Sequence, residues 1–493
     1  MRIVFVEPVL RFSVPLGVTG VAAMLRRGGH EVGLVLAERA PERTVARVAA
    51  LRPDAVAFSV LSGGHHWHYA IARALKERLG VPTLWGGPHP TFFPEMIELP
   101  WVDAACVGEG EQAALLFADA FDREGGLPAA VPNFLIKRDG RVCASAPLPR
   151  NRNLDALPFP ARELYFDRFP VLREHGVKHF MAHRGCPYRC TYCFNDAYNA
   201  LYREQAGDRA IYRSRSPESI VEEVLAVGRQ VPLRMVAFVD DCFTLQKRWT
   251  LAFAEVYARR CRLPFSCHVR FDNIDEETVA ALRGAGLHLA YAGVESGDEF
   301  IRNRVMRRGM TEERMRAGGA LLHRHGVRLI TENVLGAPGE TYATARSTLR
   351  VNVAIRPALA NASIFTPYPR LPLTKYAIDT GCYDGSVDAL DGTYYHASAL
   401  RFASGRDAHR IVNLRHFFSV LARHPRLLPL LAPLLAARPN ALYRWIGDLA
   451  DGYYLRRCLP YRMTLRELLR TLRHYLASYR RDPGEARRPR PGS

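Results

Sequence analysis

The chain has 493 residues, a hydrophobic share of 48% and a formal net charge of +19 at pH 7. That length exceeds one ordinary core, so two or three domains are expected, and the apolar share excludes a disordered chain. Ten cysteines over such a length exclude a secreted disulfide scaffold, and Met1 runs straight into an apolar stretch without signal-peptide features, so a reducing cytoplasm is the expected setting.

Residues 1–130 alternate strands and helices. Apolar runs at Ile3–Val6, Val32–Leu36, Ala55–Val60, Thr83–Trp85 and Ala104–Val107 are separated by helical patterns such as Val18–Arg27, Tyr69–Leu79 and Gln112–Phe121. This alternation predicts a doubly wound, Rossmann-like parallel sheet, whose ligands bind outside the carboxyl ends of the strands. The loops expected there are Pro15-Leu16-Gly17, Ser59-Val60-Leu61-Ser62-Gly63-Gly64, Gly86-Gly87-Pro88-His89-Pro90-Thr91 and Val107-Gly108-Glu109-Gly110-Glu111. Glycines and small hydroxyl residues at successive strand ends let backbone approach something large and flat. A G-x-G-x-x-G nucleotide turn is absent.

Residues 131–177 are rich in proline, with Asn153-Leu154-Asp155-Ala156-Leu157-Pro158-Phe159-Pro160 at their centre, and read as an ordered, irregular linker. Strand patterns return at Lys178–Ala182, Met235–Val239, Phe265–Val269, Leu287–Gly293, Arg328–Leu335 and Asn361–Thr366. Between them lie helical patterns at Pro217–Val227, Trp249–Arg260, Glu276–Gly284, Glu312–His325 and Thr341–Ala354. Repeated βα units over 178–383 predict a parallel barrel or partial barrel, with chemistry at the carboxyl ends of its strands. Three of those ends carry polar or glycine-rich turns: Val239-Asp240-Asp241, Gly293-Val294-Glu295-Ser296-Gly297 and Gly336-Ala337-Pro338-Gly339-Glu340-Thr341. Carboxylates there suit ribose hydroxyls, and open glycine turns expose backbone amides; Asp240 and Asp241 capping a helix is the plain alternative.

The first strand of this region delivers the run Gly185-Cys186-Pro187-Tyr188-Arg189-Cys190-Thr191-Tyr192-Cys193. Three thiols spaced four and then three residues apart suit a loop wrapped around a cubane 4Fe–4S cluster, leaving one iron open. A zinc site would need a fourth ligand, and no second CxxC or HxxxH pair occurs. Cys106, Cys143, Cys242, Cys261, Cys267, Cys382 and Cys458 lack mutual ligand spacing and read as small buried apolar residues.

Residues 384–493 are mainly helical by pattern up to about Tyr479, and Glu485–Ser493 reads as a disordered basic tail. From Arg401 onward there are nineteen Arg, no Lys and six acidic residues, which accounts for +13 of the net +19. No nucleic-acid motif or interleaved aromatic pattern accompanies this charge, so a nucleic-acid partner is not expected. The apolar run Leu427–Ala437 is too short to span a bilayer and holds two prolines. A buried helical hairpin is the preferred reading, with peripheral contact on a membrane surface as the alternative.

The Cys186/Cys190/Cys193 pattern, with Tyr192 before the last thiol, resembles the radical S-adenosylmethionine (SAM) enzymes. The glycine and serine loops, with Gly28-Gly29-His30-Glu31-Val32 after the first helix, resemble the cobalamin-binding domain fused to many of them. The resemblance covers residues 1 to about 370. It implies a cobalamin domain over 1–130, a radical SAM barrel over 178–383 and a helical C-terminal cap that shapes the substrate site. It implies cluster ligation by Cys186, Cys190 and Cys193, and SAM contacts from Tyr192, Asp240, Glu295, Ser296 and Gly336, the last within a Val334–Gly336 segment packed on the adenine. It also implies cobalamin contacts from Pro15, Leu16, Gly17, Ser59, Ser62, Gly63, Gly86, Gly87, His89, Thr91, Gly108 and Glu109. The Asp-x-His-x-x-Gly sequence that supplies a histidine to cobalt is absent, so no such ligand is expected. His65, His66 and His68 are expected to cap the following helix or face solvent. The activity implied first is methyl transfer from methylcobalamin to an unactivated carbon after hydrogen abstraction by a 5′-deoxyadenosyl radical. The alternative is a radical oxidative cyclase or rearrangement enzyme of the magnesium-protoporphyrin monomethyl ester cyclase type. Either implies a small-molecule substrate and an electron donor such as flavodoxin or ferredoxin.

Overall fold

A computed structural model describes residues 1–8, 13–38, 40–390, 395 and 397–481. The tail Glu485–Ser493 therefore lies outside the described residues. Two compact units emerge: Met1–His175 with Tyr198–Ala210 and Met463–Ser493, and Gly176–Ala197 with Ile211–Arg462.

The first unit is built on a seven-stranded sheet in the order β2-β1-β3-β4-β5-β6-β7. Its parallel part consists of β1 (Arg2–Glu7), α1 (Leu16–Arg27), β2 (Glu31–Leu36), α2 (Pro41–Ala49), β3 (Ala55–Ser59), α3 (His65–Leu79), β4 (Thr83–Gly86), α4 (Pro88–Phe92), β5 (Ala104–Cys106) and α5 (Gly110–Glu124). The strands are short and apolar because both faces are covered: Val4, Val6, Val56, Phe58 and Trp85 share one buried cluster with Ile71 and Leu75 of α3. Two further strands, β6 (Phe134–Arg138) and β7 (Arg141–Ala144), pair antiparallel and extend the sheet from β5. Residues 131–177 are thus less irregular than their proline content predicts. The Asp139-Gly140 turn, with both residues at positive φ, closes a hairpin on the free sheet edge. Short helices α6 (Glu163–Phe166) and α7 (Pro170–Glu174) follow.

The second unit carries a six-stranded, all-parallel sheet in the order β15-β14-β13-β12-β11-β8. Its strands are β8 (Val177–Phe180), β11 (Met235–Phe238), β12 (Phe265–Val269), β13 (Leu287–Glu295), β14 (Arg328–Leu335) and β15 (Leu359–Ile364). A small pair, β9 (His183–Arg184) with β10 (Arg213–Ser214), lies beside the cysteine loop, which leads into α8 (Phe194–Ala206). Six parallel strands in sequential order joined by helical crossovers make a half-barrel. The crossovers are α9 (Pro217–Gln230), α10 (Lys247–Arg260), α11 (Glu276–Ala285), α12 (Glu312–Arg324) and α13 (Tyr342–Ile355). Ser216, Asp275, Thr311 and Thr341 cap α9, α11, α12 and α13 by accepting a first-turn N–H, which fixes where each helix starts.

The C-terminal part is helical: α14 (Pro372–Asp379), α15 (Gly405–Arg423), α16 (Leu428–Ala436), α17 (Ala441–Cys458) and α18 (Leu465–Arg481). Helix α15 is the buried one; Ile411, Leu414, Phe418 and Leu421 pack with Leu335, Ala362 and Ile364. The expected buried hairpin at Leu427–Ala437 is not formed: α16 packs on α15, and only Leu435 of α16 is buried. An apolar helix can bury just the side that meets α15, and among the described residues the opposite side is exposed. No helix among the described residues is long and apolar enough to cross a membrane.

Candidate active site

In the second unit the three motif thiols stand on a loop fixed by side chains from distant strands. Cys190 is buried, Cys186 and Cys193 are half-buried, and all three are free of disulfides. The loop enters from residues 182–183, whose backbone N–H groups both donate to Asp240 Oδ1; His183 Nδ1 lies 3.0 Å from the same oxygen. Asp240 is therefore a buried anchor of the cysteine loop rather than a helix cap, with its Oδ2 buried and unpartnered. On the exit side the Thr191 N–H donates to the Met306 carbonyl at 3.0 Å and its hydroxyl to the Val305 carbonyl at 2.7 Å.

Two arginines absent from the sequence reading complete the frame. Arg270, bidentate to Asp272 at 3.0 Å for both bonds, lays its guanidinium 3.6 Å from the Tyr188 ring centroid. Arg308 Nη1 donates to the Tyr192 hydroxyl at 3.1 Å and lies 4.0 Å from Cys190 Sγ and 3.7 Å from Glu295 Oε1. Its Nη2 donates to the Gly293 carbonyl at 3.1 Å. A buried arginine has no spacing signature, so only its surroundings reveal it. Tyr192 and Glu295 are thereby brought to one cation. Glu295 itself sits at φ +63°, at a register shift of β13 against β14.

Ser296 and Gly336 have other attachments. Ser296 is fully buried, and its Oγ accepts from the Asp298 N–H at 3.2 Å. Gly336 turns its N–H onto the carboxylate of Glu340, which also accepts from Ala337 at 3.3 Å. Burial pushes the Glu340 carboxyl up to about 8. That residue, the last acid of the Gly336–Thr341 turn, holds the turn closed.

Burial also pushes the Cys186 thiol up to about 12 and the Cys193 thiol up to about 11. Three free thiols gathered in one loop, two of them held protonated at neutral pH, need a bound cation to become thiolates. The donor set fits an iron–sulfur cluster. Arg308 beside Cys190 adds positive charge of the kind that stabilises an anionic cluster or a carboxylate ligand. The remaining cysteines divide: Cys106, Cys242, Cys267 and Cys458 are buried as expected, whereas Cys261 and Cys382 are half-buried and Cys143 is exposed, lying on a sheet-edge hairpin.

In the first unit the expected loops do gather at the carboxyl ends of the parallel strands. Pro15 precedes α1, and Leu16 and Gly17 form its first turn, where a side chain at Gly17 would meet nothing within 4 Å. Ser59 ends β3 exposed to solvent, and a Cβ at Gly86 would approach only the Phe58 carbonyl, at 3.9 Å. Gly63 turns at φ +92°. Other members of the set are engaged by the protein itself. Gly87, at φ +93°, packs so tightly that a Cβ would stand 2.9 Å from the Val60 nitrogen. The Thr91 hydroxyl donates to the Gly87 carbonyl at 2.9 Å and accepts from the Gly108 N–H at 3.1 Å, tying two strand ends together. Gly108, at φ +92°, leaves the space that the Tyr202 hydroxyl fills, and the Glu109 N–H donates to that hydroxyl at 2.7 Å.

The histidines are mostly inside. His89 is fully buried, with Nδ1 at 3.0 Å from Ser62 Oγ and Nε2 at 2.9 Å from the Tyr69 hydroxyl; burial lowers its pKa to about 3. Both ring nitrogens are thus committed within the protein. His65 is buried and stacks on His89 at 4.5 Å, while its Nδ1 accepts from the Gly63 N–H. His68 is buried too, beside the Gly64 carbonyl at 2.8 Å; of the three, only His66 is exposed. Helix α3 consequently begins at His65, four residues before the periodic pattern at Tyr69.

Residues 3–117 match the family model of the B12 binding domain, and residues 181–351 match that of the radical SAM superfamily. The chain belongs to the cobalamin-dependent radical SAM enzymes. An uncharacterised methyltransferase of Pyrococcus horikoshii is 27% identical over 374 residues, covering 74% of this chain and 78% of its own. The anaerobic magnesium-protoporphyrin IX monomethyl ester cyclase of Rubrivivax gelatinosus is 24% identical over 399 residues, covering 75% and 68%. In fold, the chain is similar to the radical SAM methyltransferase TsrM from Kitasatospora setae, solved with cobalamin and a 4Fe–4S cluster bound; the TM-score is 0.61 at 19% identity, over 77% of this chain and 75% of that one. A cobalamin-dependent radical SAM enzyme uses a 4Fe–4S cluster, SAM and cobalamin.

Proposed function

We propose that this enzyme methylates an unactivated carbon of a small-molecule substrate, drawing electrons from a donor such as flavodoxin or ferredoxin. The observation that carries the reading is the joint presence of a three-thiol loop, with Cys190 buried, and a cobalamin-type sheet in a chain whose Pyrococcus relative is described as a methyltransferase. When bound, the cofactors supply reductive cleavage of SAM, hydrogen abstraction and a transferable methyl group. In this reading Cys186, Cys190 and Cys193 hold the cluster. Arg308 neutralises charge beside it and orients Tyr192 and Glu295 toward SAM, with Glu295 accepting from a hydroxyl. Asp240 acts at one remove, by fixing where the cysteine loop starts. Ser296 and Gly336, with Glu340 behind it, shape the turns that close the SAM site. Ser59, Gly17, Gly63 and Gly86 face cobalamin, on a frame that Ser62, His89, Gly87, Thr91, Gly108 and Glu109 hold rigid. With both nitrogens of His89 engaged, the cobalt is expected to lack a histidine.

The likeness to the Rubrivivax cyclase supports a second reading, oxidative ring formation. Anaerobic incubation of the reconstituted enzyme with methyl-deuterated SAM and a metabolite extract separates the two. Methylation yields S-adenosylhomocysteine, 5′-deoxyadenosine and a product carrying the deuterated methyl group. A product lacking the label, formed with 5′-deoxyadenosine alone, would establish the cyclase-type reaction instead.

A further inference from the structure

We propose that α16 and α17 dock the enzyme on an anionic lipid membrane. The solvent side of α16 is apolar throughout: Pro429, Leu430, Ala432, Pro433, Leu434 and Ala436 are exposed, Leu430 at 73%. No charged residue occurs between Arg426 and Arg438, and both of those are exposed. Helix α17 repeats the arrangement at helical spacing. Leu442, Trp445, Ile446, Leu449 and Tyr453 form one exposed stripe, with Leu442 at 60% and Trp445 at 51%.

The charges of α17 are sorted by sign. Its two acids, Asp448 and Asp451, turn inward to the buried Arg415, at 3.5 and 3.7 Å. Arg456 and Arg457 are exposed beside the stripe, Arg457 donating to the Tyr453 hydroxyl at 2.8 Å. The outer surface therefore offers leucines, a tryptophan and arginines, with no exposed acid among the residues of α16 and α17. An exposed apolar patch of this kind marks an interaction surface. Aliphatic residues with Trp and Tyr at the boundary and cations around them match the headgroup region of an anionic bilayer. In the first unit α18 shows the same chemistry independently, with Leu465, Leu469 and Leu472 exposed among Arg466 and Arg473.

Charge selects lipid over a second copy of the chain. Within the same unit, residues 401–462 hold eleven Arg, no Lys and three acids, a net charge of +8, so a second copy would bring like charge to the patch. A bilayer rich in phosphatidylglycerol brings the opposite.

The test uses the full-length reconstituted enzyme with sucrose-loaded vesicles of phosphatidylcholine alone or of equal parts phosphatidylcholine and phosphatidylglycerol. Sedimentation with the mixed vesicles and not with the neutral ones is expected. Leu430→Glu with Trp445→Glu should abolish it, and Arg456→Glu with Arg457→Glu should weaken it about tenfold or more. These positions are exposed, so circular dichroism and iron content should match the parent protein. Equal sedimentation with both vesicle types, or unchanged sedimentation of the two double variants, overturns the proposal. So does an absence of vesicle binding; if it accompanies a dimer that Leu430→Glu with Trp445→Glu dissociates, the surface belongs to a second copy.

Discussion

The strand ends of the two units use small and reactive residues in opposite ways. In the half-barrel, helices α9, α11, α12 and α13 each start at a side-chain cap, and the cysteine loop is pinned by Asp240, Arg270 and Arg308. The three thiols sit inside this frame, Cys190 Sγ 4.0 Å from Arg308 Nη1 and Cys193 Sγ accepting from Asn195 Nδ2 at 3.5 Å. In the first unit, α1, α3, α4 and α5 start at Pro15, Gly64, Gly87 and Glu109 with no side-chain cap, and several of the glycines there are required by the protein itself. First turns without a side-chain cap at the ends of β1, β3 and β5 suit a ligand that accepts hydrogen bonds, whereas α4 offers none, since Pro88 and Pro90 lack an N–H and the His89 N–H donates to the Val60 carbonyl at 2.9 Å. A glycine whose conformation the fold demands, such as Gly87 or Gly108, therefore points to a ligand less strongly than one with open space around it, such as Gly17 or Gly86.

The sharpest break would come at the thiols. Changing Cys186, Cys190 and Cys193 together to Ala should abolish iron and sulfide content and the charge-transfer absorption, and each single change should remove most of it. Full cluster content in the triple variant would refute ligation by this loop.

Gly108→Ala should destabilise the first unit by about 1–3 kcal/mol, because the new methyl meets the Tyr202 hydroxyl at a backbone angle that disfavours any side chain. The cost should shrink in a Tyr202→Ala background, as measured by a double-mutant cycle of denaturant midpoints. Gly87→Val should fail in the same structural way, against Val60. Gly86→Val, at a position with free space, should fold and lose cobalamin while still cleaving SAM. If Gly86→Val retains full cobalamin affinity, the open strand ends of β3 and β4 do not form the slot.

Glu295→Gln should weaken SAM binding on the order of ten- to a hundredfold, the equivalent of about 1.5–3 kcal/mol for a lost charge-assisted hydrogen bond. Cobalamin content should not change. Loss of cobalamin with SAM cleavage intact would reverse the assignment of the two units to their cofactors.

The smallest expected effect is on acid stability. Burial lowers the His89 pKa from 6.5 to about 3, so the unfolded chain binds the extra proton first and stability falls as pH drops through 6.5. The loss should approach about 1.4 kcal/mol per pH unit below that point. Denaturant midpoints at pH 7.0 and 5.5 should converge in His89→Gln relative to the parent; an unchanged pH dependence would mean that His89 is not held neutral.

Much of this was legible from residues alone. Strand and helix periodicity predicted the five parallel strands of the first sheet and the six of the second, because a strand buried on both faces must be apolar along its length. The thiol spacing is likewise a local property, because all three thiols lie within one loop. The β6–β7 hairpin, the burial of His65, His68 and His89, and the bare outer face of α16 were not legible. Each depends on which surface a segment meets, which proline density or apolar content does not encode. Arg270 and Arg308 are the clearest case: Tyr188 and Tyr192 are fixed in sequence beside the cysteines, but their partners come from residues more than 80 positions away. Sequence determined which atoms can bind iron; the register of β12 and β13 and the turns that follow them decided which cations stand next to them.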